Sequence, residues 1–474
     1  MTDLTLLTID EASSLIADKK LSPVELTEAC IAKTEALDST LLTYVTFTPE
    51  AALQAAKQAE AEIMAGDRRG PLHGIPIGLK DIYDTAGLRT TGHSRLMLER
   101  VPEEDATTVA KLREGGAVFT GKLGTWEFAI GGPSFDLFHP PARNPWNTEC
   151  QTGGSSSGSG SAIAAGMVLG AMGSDTGGSI RSPAALCGIA GIKPTYGLLS
   201  RKGVLPLSQS LDHAGPMAWT SKDCALMLQV LAGHDPDDPA SADVEIPDFS
   251  ALMGKSLKGL RIGVVRHFYE TDNVATDDVK AAIEASLVAF KEMGCTVKDV
   301  TLAPLAEFAA VNTTIMSAEA YSIHEPYLTT TPELYGEICR DRIMLGALIR
   351  GSDYVNAQKR RRELSFEVAA AMADVDVLIS AASPFPAQKI ESVPKWLMYD
   401  RPSITCPFNV TGLPAHAVCV GYNAGGMPLS IQIVGKPFQD AMVLAVGDAY
   451  EAATAWRSRR PAIALGWQAK AVAA

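Results

Sequence analysis

Two stretches of this chain concentrate glycine and serine in patterns that suit acyl chemistry. One reads Gly153-Gly154-Ser155-Ser156-Ser157-Gly158-Ser159-Gly160, the other Ser174-Asp175-Thr176-Gly177-Gly178-Ser179-Ile180-Arg181. In the second, paired glycines ahead of a serine let the backbone turn sharply and aim successive N–H groups into one small space. Such a concavity holds an oxyanion, and Ser179 stands where a nucleophile is wanted. Ser155 lies upstream of Ser179, beyond one helical run and one short strand-like run. That connection can return the chain beside its start and bring Ser155 near Ser179. Neither stretch reads as a nucleotide loop, since no lysine follows at the P-loop position and the dinucleotide spacing is not met. A flexible Gly/Ser linker fails on context, because an apolar helical run follows at once.

A serine nucleophile needs a base. The eight histidines, His73, His93, His139, His213, His234, His267, His324 and His416, stand isolated, and none sits in a pattern that supplies an acidic orienter. Lys80 is the better candidate. It ends the apolar run Ile75 to Leu79, where a lysine is out of place. One reading is a stem that snorkels from a strand end. The other is burial among Gly and Ser, which disfavours the ammonium and lowers the pKa toward the working range. A neutral lysine can then take a proton from a serine.

The surrounding texture says what positions these groups. Thr8 with Glu11 and Ser22 with Glu25 read as capping boxes, with Pro23 at a first helical position. Ala51 to Ala65 reads as a second Ala/Glu-rich helix ended by Gly66. Residues 1–65 are therefore expected to be a helical segment packed on residues 66–474. From Pro71 onward, short β-like runs alternate with helical patterns. Examples are Gly74 to Asp81, a strand ending in a polar turn, the helix Thr107 to Glu114, the strand Ala117 to Thr120 and the helix Ser157 to Val168. Leu260 to Val265, Asp277 to Met293 and Cys295 to Val297 read as a β-α-β unit. Such alternation predicts one large sheet covered on both faces. Asp235 to Pro247, rich in Pro and Asp, reads as a long surface loop within one domain.

Composition narrows the function classes. The 474 residues are 46% apolar and 20% charged, which argues against disorder. The formal net charge of −13 gives no broad electrostatic reason to hold DNA or RNA, so no nucleic-acid partner is expected. The longest apolar stretch, Ala162 to Met172, is about half of what spans a bilayer, so no membrane role is expected either. The eight cysteines are scattered singly, with none at metal-ligand spacing. Buried free thiols in a reducing cytoplasm, with no metal and no cofactor, are the expectation.

Taken together, the motifs resemble the amidase signature family of serine hydrolases. The matching stretches are Pro71 to Asp81, Gly153 to Ser159, Asp175 to Pro183, Gly188 to Gly197, Pro206 to Pro216 and Asn409 to Ala415. The resemblance implies a single-domain α/β/α sandwich around a large mixed sheet, with a signature core at about residues 71–216. It also implies a Ser–Ser–Lys triad whose middle serine is held in a cis peptide. Carried onto this sequence, Ser179 is the nucleophile, Ser155 the bridging cis serine and Lys80 the ultimate base. Thr176, Gly177 and Gly178, with the Ser179 amide, supply the oxyanion hole, and an acyl-enzyme forms on Ser179. Asp175 and Arg181 fix the turn as a charge pair, with Ser156 helping by hydrogen bonds. Trp126 and Phe128 are candidates for lining the substrate pocket.

Within the family, the expected activity is hydrolysis of the C–N bond of a small-molecule amide, with carbamates and a homodimer left open. The rival is the A subunit of a glutamyl-tRNA(Gln) amidotransferase, which releases ammonia from glutamine. Arg361 matches an arginine that this subunit uses on its substrate. The rival, however, carries an aspartate seven positions before the asparagine here numbered Asn409. This chain has Pro402 there, with Asp400 out of register. On that ground the stand-alone hydrolase is the favoured reading. A catalytically silent binding protein on the same fold would be marked by loss of a triad member, and none is lost.

Overall fold

Residue types at the helix ends set the first elements. In the computed structural model, which describes residues 3–467, Thr8 caps the helix Ile9–Ala17 with its partner Glu11 in a complete capping box. Ser22 accepts from the Val24 and Glu25 N–H groups ahead of Pro23, at the start of the helix Pro23–Leu41. Its hydroxyl donates to Glu60 rather than sharing a reciprocal box with Glu25. The helix Pro49–Ala65 ends at Gly66, whose φ of +100° suits the left-handed cap.

Thirteen strands form among the described residues. They are β1 (Tyr44–Phe47), β2 (Pro76–Lys80), β3 (Val118–Leu123), β4 (Arg143–Asn144), β5 (Asn147–Gln151), β6 (Gly170–Asp175), β7 (Ala190–Lys193), β8 (His213–Ala218), β9 (Arg261–Val264), β10 (Thr296–Asp299), β11 (Val377–Ala381), β12 (Ala415–Tyr422) and β13 (Pro428–Val434). Eleven of them make one sheet, in the order β1-β3-β2-β6-β8-β7-β12-β13-β11-β9-β10. The sheet is mixed: β2 runs parallel to β3 and β6, β9 parallel to β10 and β11, and the centre is antiparallel. Strands β2, β6, β7, β8, β11 and β13 are buried at every position, as expected of a sheet covered on both faces. This is the single-domain α/β architecture the sequence predicts.

One difference lies at the start of the chain. Residues 1–65 are not wholly helical, because Tyr44–Phe47 adds β1 to the sheet edge, antiparallel to β3. The Asp235 to Pro247 segment is an ordered surface loop. It is tied down by Asp235, which accepts from Thr107 and Ser200, each at 2.6 Å.

The helix Ser157–Ala165 explains its own composition. All nine of its residues are buried. A Cβ on Gly158 would stand 2.5 Å from the Gly124 backbone nitrogen and 2.6 Å from the Thr43 carbonyl oxygen. Only small side chains let this helix lie so close to the β3 connection, and that approach delivers Ser155 and Ser156 to the ends of β2 and β6.

Candidate active site

The site assembles where β2 and β6 end. They are parallel neighbours, so Lys80 and Ser174 emerge side by side at their carboxyl ends, where open α/β sheets place ligands. Lys80 is fully buried, and its Nζ donates to Ser155 Oγ and Ser174 Oγ, both at 2.8 Å, and to Ser156 Oγ at 3.1 Å. Burial pulls its pKa down to about 7, against the raising influence of Asp175 and Asp212. A substantial fraction of the side chain is then neutral at physiological pH.

The peptide bond Gly154–Ser155 is cis. Trp126 sits against it: a Cβ on Gly154 would come within 2.1 Å of the indole, and the backbone N–H of Trp126 donates to the Ser155 carbonyl at 3.1 Å. Ser156 ties the two loops together. Its Oγ accepts from the Ser174 N–H at 3.2 Å, and its N–H donates to the Ser179 carbonyl at 3.2 Å.

Ser179 follows β6 in the turn before the helix Arg181–Cys187 and lines a cavity of about 220 Å³. The turn is held from beneath by Asp175. Its carboxylate accepts from the Gly178 N–H at 2.8 Å, the Ile180 N–H at 3.1 Å and the Arg181 guanidinium at 2.9 and 3.0 Å. Burial alone would raise the Asp175 pKa, but the adjacent Arg181 guanidinium holds it well below the usual carboxylate range. Arg181 is itself fully satisfied, by Asp175, Asn409 Oδ1, Gln432 Oε1 and the Thr405 carbonyl. From above, Thr405 and Ser403 donate to the Gly177 carbonyl at 2.6 and 3.1 Å. Gly178 has φ +136°, and a Cβ there would stand 2.1 Å from Thr405 Oγ1, so glycine is required.

The oxyanion candidates separate on this geometry. The Gly178 N–H is committed to Asp175. Among the described residues, the Gly177 and Ser179 N–H groups have no protein acceptor. Thr176 acts through its side chain and carbonyl: Oγ1 donates to Asp212 at 2.5 Å, and the carbonyl accepts from Asn312 at 3.0 Å.

The substrate-pocket candidates also separate. Trp126 lines the cavity, together with Ile130, Met316, Leu397 and Ile404. Phe128 does not. It is buried with its ring 4.5 Å from that of His324, and Tyr335 packs beside it. Arg361 is spent on the carbonyls of Val410 and Ser210 and does not line the cavity. Among the described residues, no Asp, Glu or His lines it.

Several residues of the site carried no role in the sequence reading. Ser174 was visible inside its motif. Asn409 was visible inside the C-terminal one, and here its amide bridges the Asp175 carbonyl and carboxylate. Asn312, Ser403, Thr405 and Gln432 had no local signal.

Known proteins resemble this chain in sequence and overall fold. The chain is 39% identical to the A subunit of the glutamyl-tRNA(Gln) amidotransferase of Geobacter metallireducens, over 96% of this chain and 99% of that one. Among solved structures, the A subunit of the Thermotoga maritima glutamyl-tRNA(Gln) amidotransferase superposes with a TM-score of 0.80 at 32% identity, covering 95% of each chain. The peptide amidase of Stenotrophomonas maltophilia gives 0.83 at 30% identity, covering 96% of this chain and 98% of that one.

The curated relative is by name one subunit of an enzyme for a charged tRNA. This overturns the expectation that the chain needs only a small-molecule amide or carbamate, without nucleic acid and at most as a homodimer. Among the described residues no helix is long and apolar enough to cross a membrane. The family model Amidase matches residues 25–444, over the same strand ends and serine loops, and the chain belongs to the amidase family.

Proposed function

We propose that this protein cleaves the C–N bond of a carboxamide through an acyl-enzyme on Ser179, and does so as the ammonia-releasing component of an amidotransferase assembly. The observation that carries the chemistry is Lys80 Nζ, fully buried and 2.8 Å from Ser155 Oγ. The role within an assembly is supported by the likeness to the amidotransferase A subunit along essentially the whole of both chains.

In this reading neutral Lys80 accepts a proton from Ser155 while Ser155 accepts one from Ser179. Ser179 Oγ attacks the amide carbon, and the carbonyl oxygen gathers charge beside the Gly177 and Ser179 N–H groups. The relay then returns the proton through Ser155 to the departing nitrogen, and ammonia leaves. Water attacks the acyl carbon by the same relay and frees the acid. Asp175 and Arg181 do not touch substrate; they hold the turn that aims those N–H groups.

A second reading is a hydrolase acting on an amide with an apolar acyl group. It rests on one observation: Trp126, Ile130, Met316, Leu397 and Ile404 face the cavity, and among the described residues no acidic side chain does. The two readings part on glutamine. The first expects glutamine-dependent ammonia release that rises when partner subunits and tRNA are supplied. The second expects turnover of aryl or aliphatic amides by the chain alone, with glutamine inert under both conditions.

A further inference from the structure

Among the described residues, two arginines and no acid line the cavity over Ser179. Arg342 is buried and occupied: Nη1 donates to the Ile130 carbonyl at 2.6 Å, and Nε and Nη2 donate to the Lys395 carbonyl. Arg401 differs. It is exposed and lines both the cavity and a neighbouring outer depression. Among the described residues no hydrogen bond or ion pair engages its guanidinium, although Asp400 precedes it. Asp400 lines only the outer depression, so it leaves the cavity side to Arg401. The remaining polar groups of the cavity outside the serine turn are neutral, among them Asn273, Asn312 and Ser383.

A planar fork of donors with no partner, at the mouth of a cavity without a carboxylate, is complementary to an anion and hostile to an ammonium. We infer that Arg401 recognises a carboxylate on the acyl part of the substrate, so that the preferred substrates are the ω-amides of dicarboxylic acids. This rests on the proposed amide hydrolysis and names its substrate class. The amide end sits at Ser179, the methylene chain crosses the apolar lining, and the far carboxylate meets the guanidinium. Glutamine belongs to the class through its carboxylate. Its α-ammonium finds no acidic partner among the described residues of the cavity, so the same carbon skeleton without that group is the better substrate.

The test compares three amides of equal length with glutamine: glutaramate (anionic), valeramide (neutral) and 5-aminovaleramide (cationic). The full chain is expected to rank them anionic, neutral, cationic in kcat/KM, with glutaramate at or above glutamine. Arg401→Ala should collapse the glutaramate-to-valeramide ratio by roughly 10- to 100-fold, the size of one lost charge-assisted hydrogen-bonding partner. Arg401→Lys should keep part of it. Higher salt should weaken the preference.

A ratio near one in the parent protein, or a ratio that survives Arg401→Ala, overturns the inference. If no amide is turned over, the hydrolytic reading fails, and binding decides the inference separately. Ser179→Ala protein should still bind glutaramate more tightly than valeramide by calorimetry, and Arg401→Ala in that background should abolish the difference. Equal binding of the two overturns it.

Discussion

Lys80 Nζ and Ser174 Oγ meet at 2.8 Å because both lie at the carboxyl ends of the neighbouring parallel strands β2 and β6, Lys80 as the last residue of one and Ser174 as the penultimate residue of the other. The contact gives the lysine a hydroxyl acceptor from the sheet itself, independent of the serine loop that supplies Ser155 and Ser156. The lysine is thus held from two sides, in a place where its ammonium is poorly solvated. A hydroxyl that accepts from the ammonium favours the charged form. Ser174→Ala should therefore lower the Lys80 pKa further and move the acidic limb of the kcat/KM profile to lower pH. An unmoved limb would show that Ser174 does not act on the lysine.

The pH dependence follows from Lys80 being pulled from 10.5 to about 7. In the proposed mechanism the neutral form is the base, so kcat/KM should rise with pH through about 7 and level off above it. Stability gives an independent readout. Between about pH 7 and 10.5 the unfolded lysine holds a proton that the folded one has released. This group therefore makes the protein more stable as pH rises through that window. Urea unfolding of the parent and Lys80→Met at several pH values should show the parent gaining on the variant across it.

The Asp175–Arg181 pair is fully buried, so breaking it leaves an uncompensated charge. Arg181→Met should cost about 3–5 kcal/mol in urea unfolding. A loss below about 1 kcal/mol would mean that the turn does not depend on the pair.

Part of the site was legible because its signal is local. Lys80 betrays itself by ending an apolar run, and Ser155 and Ser179 by standing behind paired glycines. The groups that lock the turn were not legible in the same way. Thr405, Asn409 and Gln432 reach it from the far C-terminal part of the chain, through hydrogen bonds that only the sheet order brings about. Phe128 misled because aromatic type says nothing of direction. Its φ of +45° belongs to a local turn beside Trp126 that packs it on His324 instead. The edge strand β1 escaped because four residues between two helices carry too little pattern, and pairing with β3 decides their conformation. The overall alternation of strand and helix, by contrast, repeats along most of the chain, which is why the large covered sheet could be read from it.

Gly178 offers a steric test of the turn. Gly178→Ala places a methyl against Thr405 Oγ1 at a φ that L residues avoid. It should lower kcat/KM by about 10²-fold or more, the scale of losing one oxyanion donor. Pairing it with Thr405→Ala should recover only part of the loss, since the backbone strain remains. Unchanged kinetics in Gly178→Ala would mean that the turn is not the oxyanion site.

In the proposed mechanism buried Lys80 activates Ser179 through Ser155. Intact-mass and peptide mapping after exposure to a fluorophosphonate tests it most directly, run in parallel on the parent, Ser179→Ala and Lys80→Ala. One adduct on Ser179 is expected in the parent, none in Ser179→Ala, and labelling at least about 10²-fold slower in folded Lys80→Ala. An adduct on another residue, or equal labelling rates in the parent and Lys80→Ala, would contradict it.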